Sequence, residues 1–137
     1  MSAVVAFALA SALHAGFQAT VTALVYPVLG DRSPDEWSVA HARHSTAITP
    51  LVVVVYGVLV IAGGALVSSG PDPVGWLALA AAAAALAVTA VAAAPTHGRL
   101  TDRDDALVTR LLVADRWRCA FAVGGAVLAV VAVVTEG

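Results

Sequence analysis

The chain contains no lysine, and only 12% of its 137 residues are charged. A soluble domain carries about 25% charged residues because its surface must be wetted, so this composition makes a poor soluble domain. There is one cysteine, Cys119, so no intrachain disulfide can form and no redox compartment can be read from thiol usage. The formal charge of −2 supplies no basic field that would draw a nucleic acid. Nucleophile-elbow, phosphate-loop and dinucleotide signatures are absent, as is any repeat of about 20–50 residues.

Apolar residues, in contrast, make up 61% of the chain. They gather in four stretches, roughly 3–26, 47–68, 74–94 and 107–134. A bilayer core about 30 Å thick needs about 20 apolar residues per helical crossing. Four crossings and three short connections use nearly the whole sequence. The expectation is one integral-membrane domain, an all-α four-helix transmembrane bundle with helices at about 3–26, 34–68, 73–94 and 102–134. Ala3 to Ala12 resembles the apolar region of a secretory signal, and Ala8-Leu9-Ala10 a cleavage site. A signal normally opens with a basic residue, however, and none precedes Gly16, so helix one is expected to remain in the protein.

All seven arginines fall on one side of this arrangement. The connections at 27–46 and 95–110, with the adjoining start of helix four, hold Arg32, Arg43, Arg99, Arg103, Arg110, Arg116 and Arg118. The other side receives the N-terminus, the turn Ser68 to Pro73 and the tail Thr135-Glu136-Gly137, with no basic side chain. Short arginine-rich loops stay in the cytoplasm. Both termini are therefore expected outside the cell (inner) plasma membrane, with the lipid bilayer as the principal partner.

Local signals refine the helix ends. Tyr26-Pro27 closes helix one and Pro95 closes helix three. Ser33-Pro34-Asp35-Glu36 reads as a capping box with proline in the first turn, and Thr101 with Asp104 reads as the start of helix four. Pro50 is expected to kink helix two. Trp37, Trp76 and Trp117 read as interface anchors, and Arg103, Asp104 and Asp105 as a solvated helix start. Ala78 to Ala94 is mostly Ala, Leu and Val, which suits close helix contact in lipid.

The polar residues are unevenly placed, and that unevenness is the best functional clue. His14, Gln18 and Thr22 form one stripe along helix one, and Ala12, Gly16 and Thr20 a second, small-residue seam. Helix two offers His41, His44, Thr49 and Tyr56; helix four offers Asp115 and Arg118, three apart and near enough to pair. The loop after helix three adds His97 and Arg99. His14 is the deepest, about 18 Å along its helix from Tyr26 at 1.5 Å per residue. Ionisable groups in membrane helices mark functional sites by default, so the candidate catalytic residues are His14, Gln18, His44, His97, Asp115 and Arg118. Each also has a structural reading. His14 can simply bond a neighbouring helix, Asp115 and Arg118 can be a paired charge, and His97 can be a turn residue. His41 and His44 have ligand-like spacing for a metal ion, though no carboxylate or thiol stands in the same motif. A neutral His14 beside Gln18 can take a proton from an acidic phenol or carbon acid, with Arg118 or Arg99 holding the anion.

Three short motifs carry a resemblance. A small residue, an aromatic and a proline close helix one (Gly16, Tyr26-Pro27). Pro95-Thr96-His97-Gly98-Arg99-Leu100 follows helix three, and Trp117-Arg118 stands at the start of helix four. Together they resemble the small four-helix membrane proteins that include the anthrone oxygenases of polyketide pathways. That family often has Asn at the position of His97 and His or Asn near that of Asp115. The resemblance implies a cofactor-independent membrane oxygenase acting on a hydrophobic aromatic small molecule, with histidine as base and no cofactor. His14 with Tyr26-Pro27 is also similar to the pairing in bacterial membrane protoporphyrinogen oxidases, which implies haem or porphyrin binding. Three classes therefore stay open: a membrane oxidoreductase or proton-transfer enzyme, a haem- or metal-binding protein, and a non-catalytic subunit. In the last, the alanine-rich helix docks a membrane partner or a second copy in a homo-oligomer.

Overall fold

The computed structural model describes residues 1–136, all of its regular structure being helical. Gly137, the end of the tail assigned above to the outer side, lies outside the described residues. Four helices are long and apolar enough to cross a membrane: α1 Ala3–Gly30, α2 Pro34–Ser68, α3 Pro73–Arg99, and α4 Asp105–Glu136. No strand occurs among the described residues. The architecture is the helical bundle expected, and its apolar surface is compatible with contact with a bilayer in a multi-pass protein.

Helix starts follow capping chemistry. Ser2 Oγ accepts from Val5 N at 3.4 Å and Asp72 Oδ1 from Gly75 N at 2.7 Å. At α4 the cap is Asp104, whose Oδ1 accepts from Ala106 N and Leu107 N at 2.9 and 3.1 Å. This moves the start to Asp105 rather than 102, because the carboxylate two residues ahead satisfies the first free amides better than Thr101 can. Ser33 holds the cap backbone conformation of α2 without a side-chain bond, so the expected capping box does not form. Gly70, at φ 69°, closes α2 in the left-handed region that suits a residue without Cβ.

Two helices run further than their prolines suggested. α1 continues through Pro27 to Gly30 and α3 through Pro95 to Arg99. In each, the five residues before the helix resumes, Val21–Val25 and Thr89–Ala93, form a widened π-helical turn. Proline lacks an N–H and its ring collides with the carbonyl four residues back; a wider turn moves that carbonyl aside. Pro50 lies inside an unbroken α2.

Packing is asymmetric. α4 lies against both α1 and α3, α2 leans on α1, and α2 meets α3 only sparsely. The alanine-rich α3 closes tightly on α4, as expected: Ala78, Ala82 and Ala85 are buried, and a Cβ on Gly125 would stand 3.3 Å from Ala81 Cβ. The Ala12–Gly16–Thr20 seam does not pack within the chain. All three residues are exposed, because α1 turns its His14–Gln18 face inward instead.

One apolar cluster, including Val4, Phe7, Leu59, Leu66, Ala78 and Ala129, fills the end nearest the termini. A second, including Tyr26, Leu29, Trp37, Leu100 and Leu111, fills the other end. Trp37 is 1% exposed there, which corrects its reading as an interface anchor; Trp76 and Trp117 are exposed. Arg103 is not a solvated helix-start residue either. Its guanidinium bonds the Gly30 and Arg32 carbonyls and the Asp105 carboxylate, and stands 5.8 Å over the Trp37 ring. The two arginine-rich connections therefore meet at one end of the bundle.

Candidate functional site

One group of polar residues occupies the level between the two apolar clusters. α1 turns His14 and Gln18 inward, and both are essentially fully buried. Gln18 Nε2 donates to Asp115 Oδ1 at 2.6 Å, and Arg118 Nη2 donates to the same oxygen at 2.8 Å. The expected Asp115–Arg118 pair thus exists, but it lies inside the bundle and gains a third member across α1. Ser11 Oγ, His14 Nε2, Gln18 Oε1 and Arg118 Nε are buried without a hydrogen-bond partner. His14 meets the Tyr56 ring edge-on at 5.1 Å, and Tyr56 Oη lies 3.0 Å from Thr89 Oγ1.

A second group gathers at the arginine-rich end. His41 Nε2 is 3.1 Å from His97 Nδ1, and Ser45 Oγ is 2.9 Å from His97 Nε2. The Ser45 hydroxyl donates to the His41 carbonyl at 2.8 Å. Its one proton being used there, it accepts from His97 Nε2–H, and a neutral His97 then accepts at Nδ1 from His41 Nε2–H. Both nitrogens of His97 are committed. Trp37 stacks on His41 at 5.4 Å, its indole N–H reaching the Leu100 carbonyl at 3.4 Å. The His44 ring lies 5.8 Å from His97 and 6.2 Å from Tyr26, and it makes no hydrogen bond among the described residues.

Between these groups is a cavity of about 190 Å³. Its polar wall is Tyr26, His44, Thr49, Tyr56, Thr89, His97 and Arg118; the rest is apolar, with Phe17, Val21, Ile48, Val52, Val53, Ala93 and Ala94. Both widened turns contribute, through Val21 and through Thr89 and Ala93. Widened turns of this kind recur at functional sites, and here they carry the residues just ahead of the two prolines into the wall. His44 also lines an outer groove with Arg32, Asp35, Glu36 and Arg43, so one imidazole borders both the interior cavity and the surface.

Of the six candidate catalytic residues, the structure brings His44, His97 and Arg118 to the cavity wall. His14, Gln18 and Asp115 stand behind it, with Tyr56 intervening at His14. Arg99 is exposed and does not line the cavity. Ser45 and Thr89 were not among the candidates. Ser45 follows His41 by four residues and so shares its face, and Thr89 is the one polar side chain within the alanine-rich stretch; both signals were present.

His41 and His44, the expected metal pair, are separated in role: His41 bonds His97, while His44 faces the cavity. Among the described residues no group of three or more His, Cys, Asp or Glu is placed to hold a metal ion. A metal at His97 would have to displace Ser45 or His41. The cavity is below the about 300–1,000 Å³ of ordinary small-molecule sites, too small for a porphyrin without opening the bundle.

Comparison with known proteins adds no relative. No family model, curated protein or solved structure matches the chain.

Proposed function

We propose that the chain is a small integral-membrane enzyme that transfers a proton on a hydrophobic molecule held in the cavity between α1, α2 and α3. The observation that carries this reading is an unengaged imidazole, His44, in an apolar-walled cavity that the Arg118 guanidinium also lines. A free imidazole is a general base, and a buried guanidinium N–H is a donor for the oxyanion that forms when a proton leaves. His44 takes a proton from an O–H, or from a C–H beside a carbonyl. The bond's electron pair stays on the molecule as an anion, and the Arg118 guanidinium donates to the anionic oxygen. Return of the proton to a different atom of the same molecule closes the balance without a co-reactant. His44, bordering the outer groove as well, can exchange that proton with water.

His44 replaces His14 as the leading base in this reading, because His14 does not reach the cavity. The arginine-rich end faces the cytoplasm on the charge rule, which puts both termini outside and the cavity nearer the inner leaflet.

The test is deuterium incorporation. Purified protein in lipid nanodiscs is incubated in D₂O with a panel of lipid-soluble phenols and cyclic ketones, hydroxyl deuterons are washed back to protons, and isotope uptake at carbon is read by mass spectrometry. Protein-dependent uptake that drops at least about 100-fold in His44→Gln, the scale of a lost general base, supports the reading. Uptake that is equal in His44→Gln, or absent across the panel, overturns it.

A further inference from the structure

We infer that the ligand of this cavity is a membrane-borne phenol: a single aromatic ring with a free hydroxyl, carrying an aliphatic tail that leaves sideways between α2 and α3. This deepens the proton-transfer reading and rests on it for the assignment of the site.

Size sets the head. An apolar cavity of about 150 Å³ takes benzene, and this one is about 190 Å³, a volume that one substituted ring fills. Phe17, Tyr26 and Tyr56 supply aromatic wall for such a ring.

Charge sets the functional group. Arg118 is the one cation in the wall, and Asp115 already neutralises it at 2.8 Å. A carboxylate or phosphate arriving fully ionised would meet a site of no net positive charge, with a buried carboxylate close behind. A neutral hydroxyl that loses its proton only after binding meets what is present, a base at His44 and the paired guanidinium of Arg118. A phenol has this character and a fatty acid or phospholipid does not.

Topology sets the tail. α2 and α3 are the neighbouring helices that pack least on each other. The cavity is walled there by side chains that are themselves open to the outside: Thr49 and Val53 on α2 and Ala94 on α3 are all exposed, Val53 to 65%. In a bilayer that opening is met by lipid, so a hydrophobic ligand enters without crossing water and its tail stays in the acyl layer.

The experiment reads occupancy and not turnover. Two photoaffinity probes are made, a 4-alkylphenol and the matching alkylbenzene without hydroxyl, each with a diazirine in the tail. They are irradiated with the protein in nanodiscs, and labelled residues are located by mass spectrometry. The expected result is phenol-probe labelling at Val52–Val53 on α2 and at residues 90–94 on α3. Excess 4-heptylphenol should compete it away at least tenfold better than heptylbenzene, 4-heptylbenzoate or a heptyl-2-naphthol. Val53→Trp, which fills the gap in the wall through which the tail leaves, should abolish labelling at residues 90–94 on α3 while the unfolding midpoint in detergent stays unchanged, since Val53 is 65% exposed. Labelling scattered over the lipid faces of all four helices, or competition that ignores the hydroxyl or the ring count, overturns the inference. Specific labelling without deuterium uptake would leave the ligand class standing and remove the proton-transfer reading.

Discussion

Gln18 and Asp115 are 97 positions apart in sequence and share a 2.6 Å hydrogen bond in the middle of the bundle. That bond ties α1 to α4 at the level where the charged side chains are buried, and it determines what surrounds Arg118. Asp115 is 1% exposed and accepts from both Gln18 and Arg118. Removing one member of such a group leaves an uncompensated buried charge, which costs about 3–5 kcal/mol. Asp115→Ala should therefore lower stability in detergent by about that amount. Gln18→Leu should cost less, about 1–3 kcal/mol, as one charge-assisted bond is lost while the ion pair remains. The joint replacement of Asp115→Leu, Arg118→Met and Gln18→Leu should recover most of the loss, since a buried ion pair and its partner exchanged together for apolar side chains leave no polar group unpaired. Denaturant titration followed by tryptophan fluorescence checks all three, and a joint replacement as unstable as Asp115→Ala would refute the argument.

The three tryptophans should separate sharply. Trp37 is buried between His41, the Leu100 carbonyl and Arg103, and its replacement by Ala should cost about 3–5 kcal/mol. Trp76 and Trp117 are 51% and 58% exposed, and their replacement should shift unfolding in detergent by no more than about 0.5 kcal/mol. Equal effects at all three positions would mean that Trp37 is an interface residue after all.

How much of this was legible in advance depends on the range over which each feature is encoded. Hydropathy over twenty residues gave four spans, and the gathering of arginines into two connections is now matched by Arg103 bonding Gly30 and Arg32 across them. Spacing within one helix gave the pairing of Asp115 with Arg118. Inter-helix register was not legible. Nothing near Gln18 announces Asp115, and nothing near His41 announces His97. The proline rule misplaced two ends for a local reason: it assumes a regular α turn upstream, and the widened turns before Pro27 and Pro95 remove the clash on which the rule rests. Trp37 was misread because depth along a helix does not say which way its face points. The same gap let the Ala12–Gly16 stripe pass for a packing seam.

Two adjacent glycines on α4 test the close approach of α3. A Cβ at Gly125 would stand 3.3 Å from Ala81 Cβ and 3.5 Å from the Ala78 carbonyl oxygen, while at Gly124 nothing lies within 4 Å. Gly125→Val should force the helices apart and cost about 1–3 kcal/mol, the usual penalty for overpacking. Gly124→Ala should be neutral or stabilise by up to about 1 kcal/mol through helix propensity. Thermal unfolding of the two variants in the same detergent gives the comparison, and similar midpoints would show that α3 and α4 pack more loosely than described.

The orientation across the membrane rests on arginine placement and can be settled by labelling. Every arginine except the buried Arg118 belongs to the end formed by the 30–34 and 99–105 connections and the helix segments beside them, and the opposite turn at 68–73 carries none. Because short loops rich in arginine are retained in the cytoplasm, the 68–73 turn should be exposed outside the cell. Cys119 is partly buried, so it is first replaced by Ala, and single cysteines are then placed at exposed Arg43, Asp102 and Ser69. In intact cells a membrane-impermeant maleimide should react with the cysteine at position 69 and leave those at 43 and 102 untouched until the cells are opened. The reverse pattern would invert the protein and move the cavity toward the outer leaflet. The helix packing and the ring-sized cavity would survive that result. The outer groove beside His44 would then open to the exterior, and the proton it exchanges would come from there.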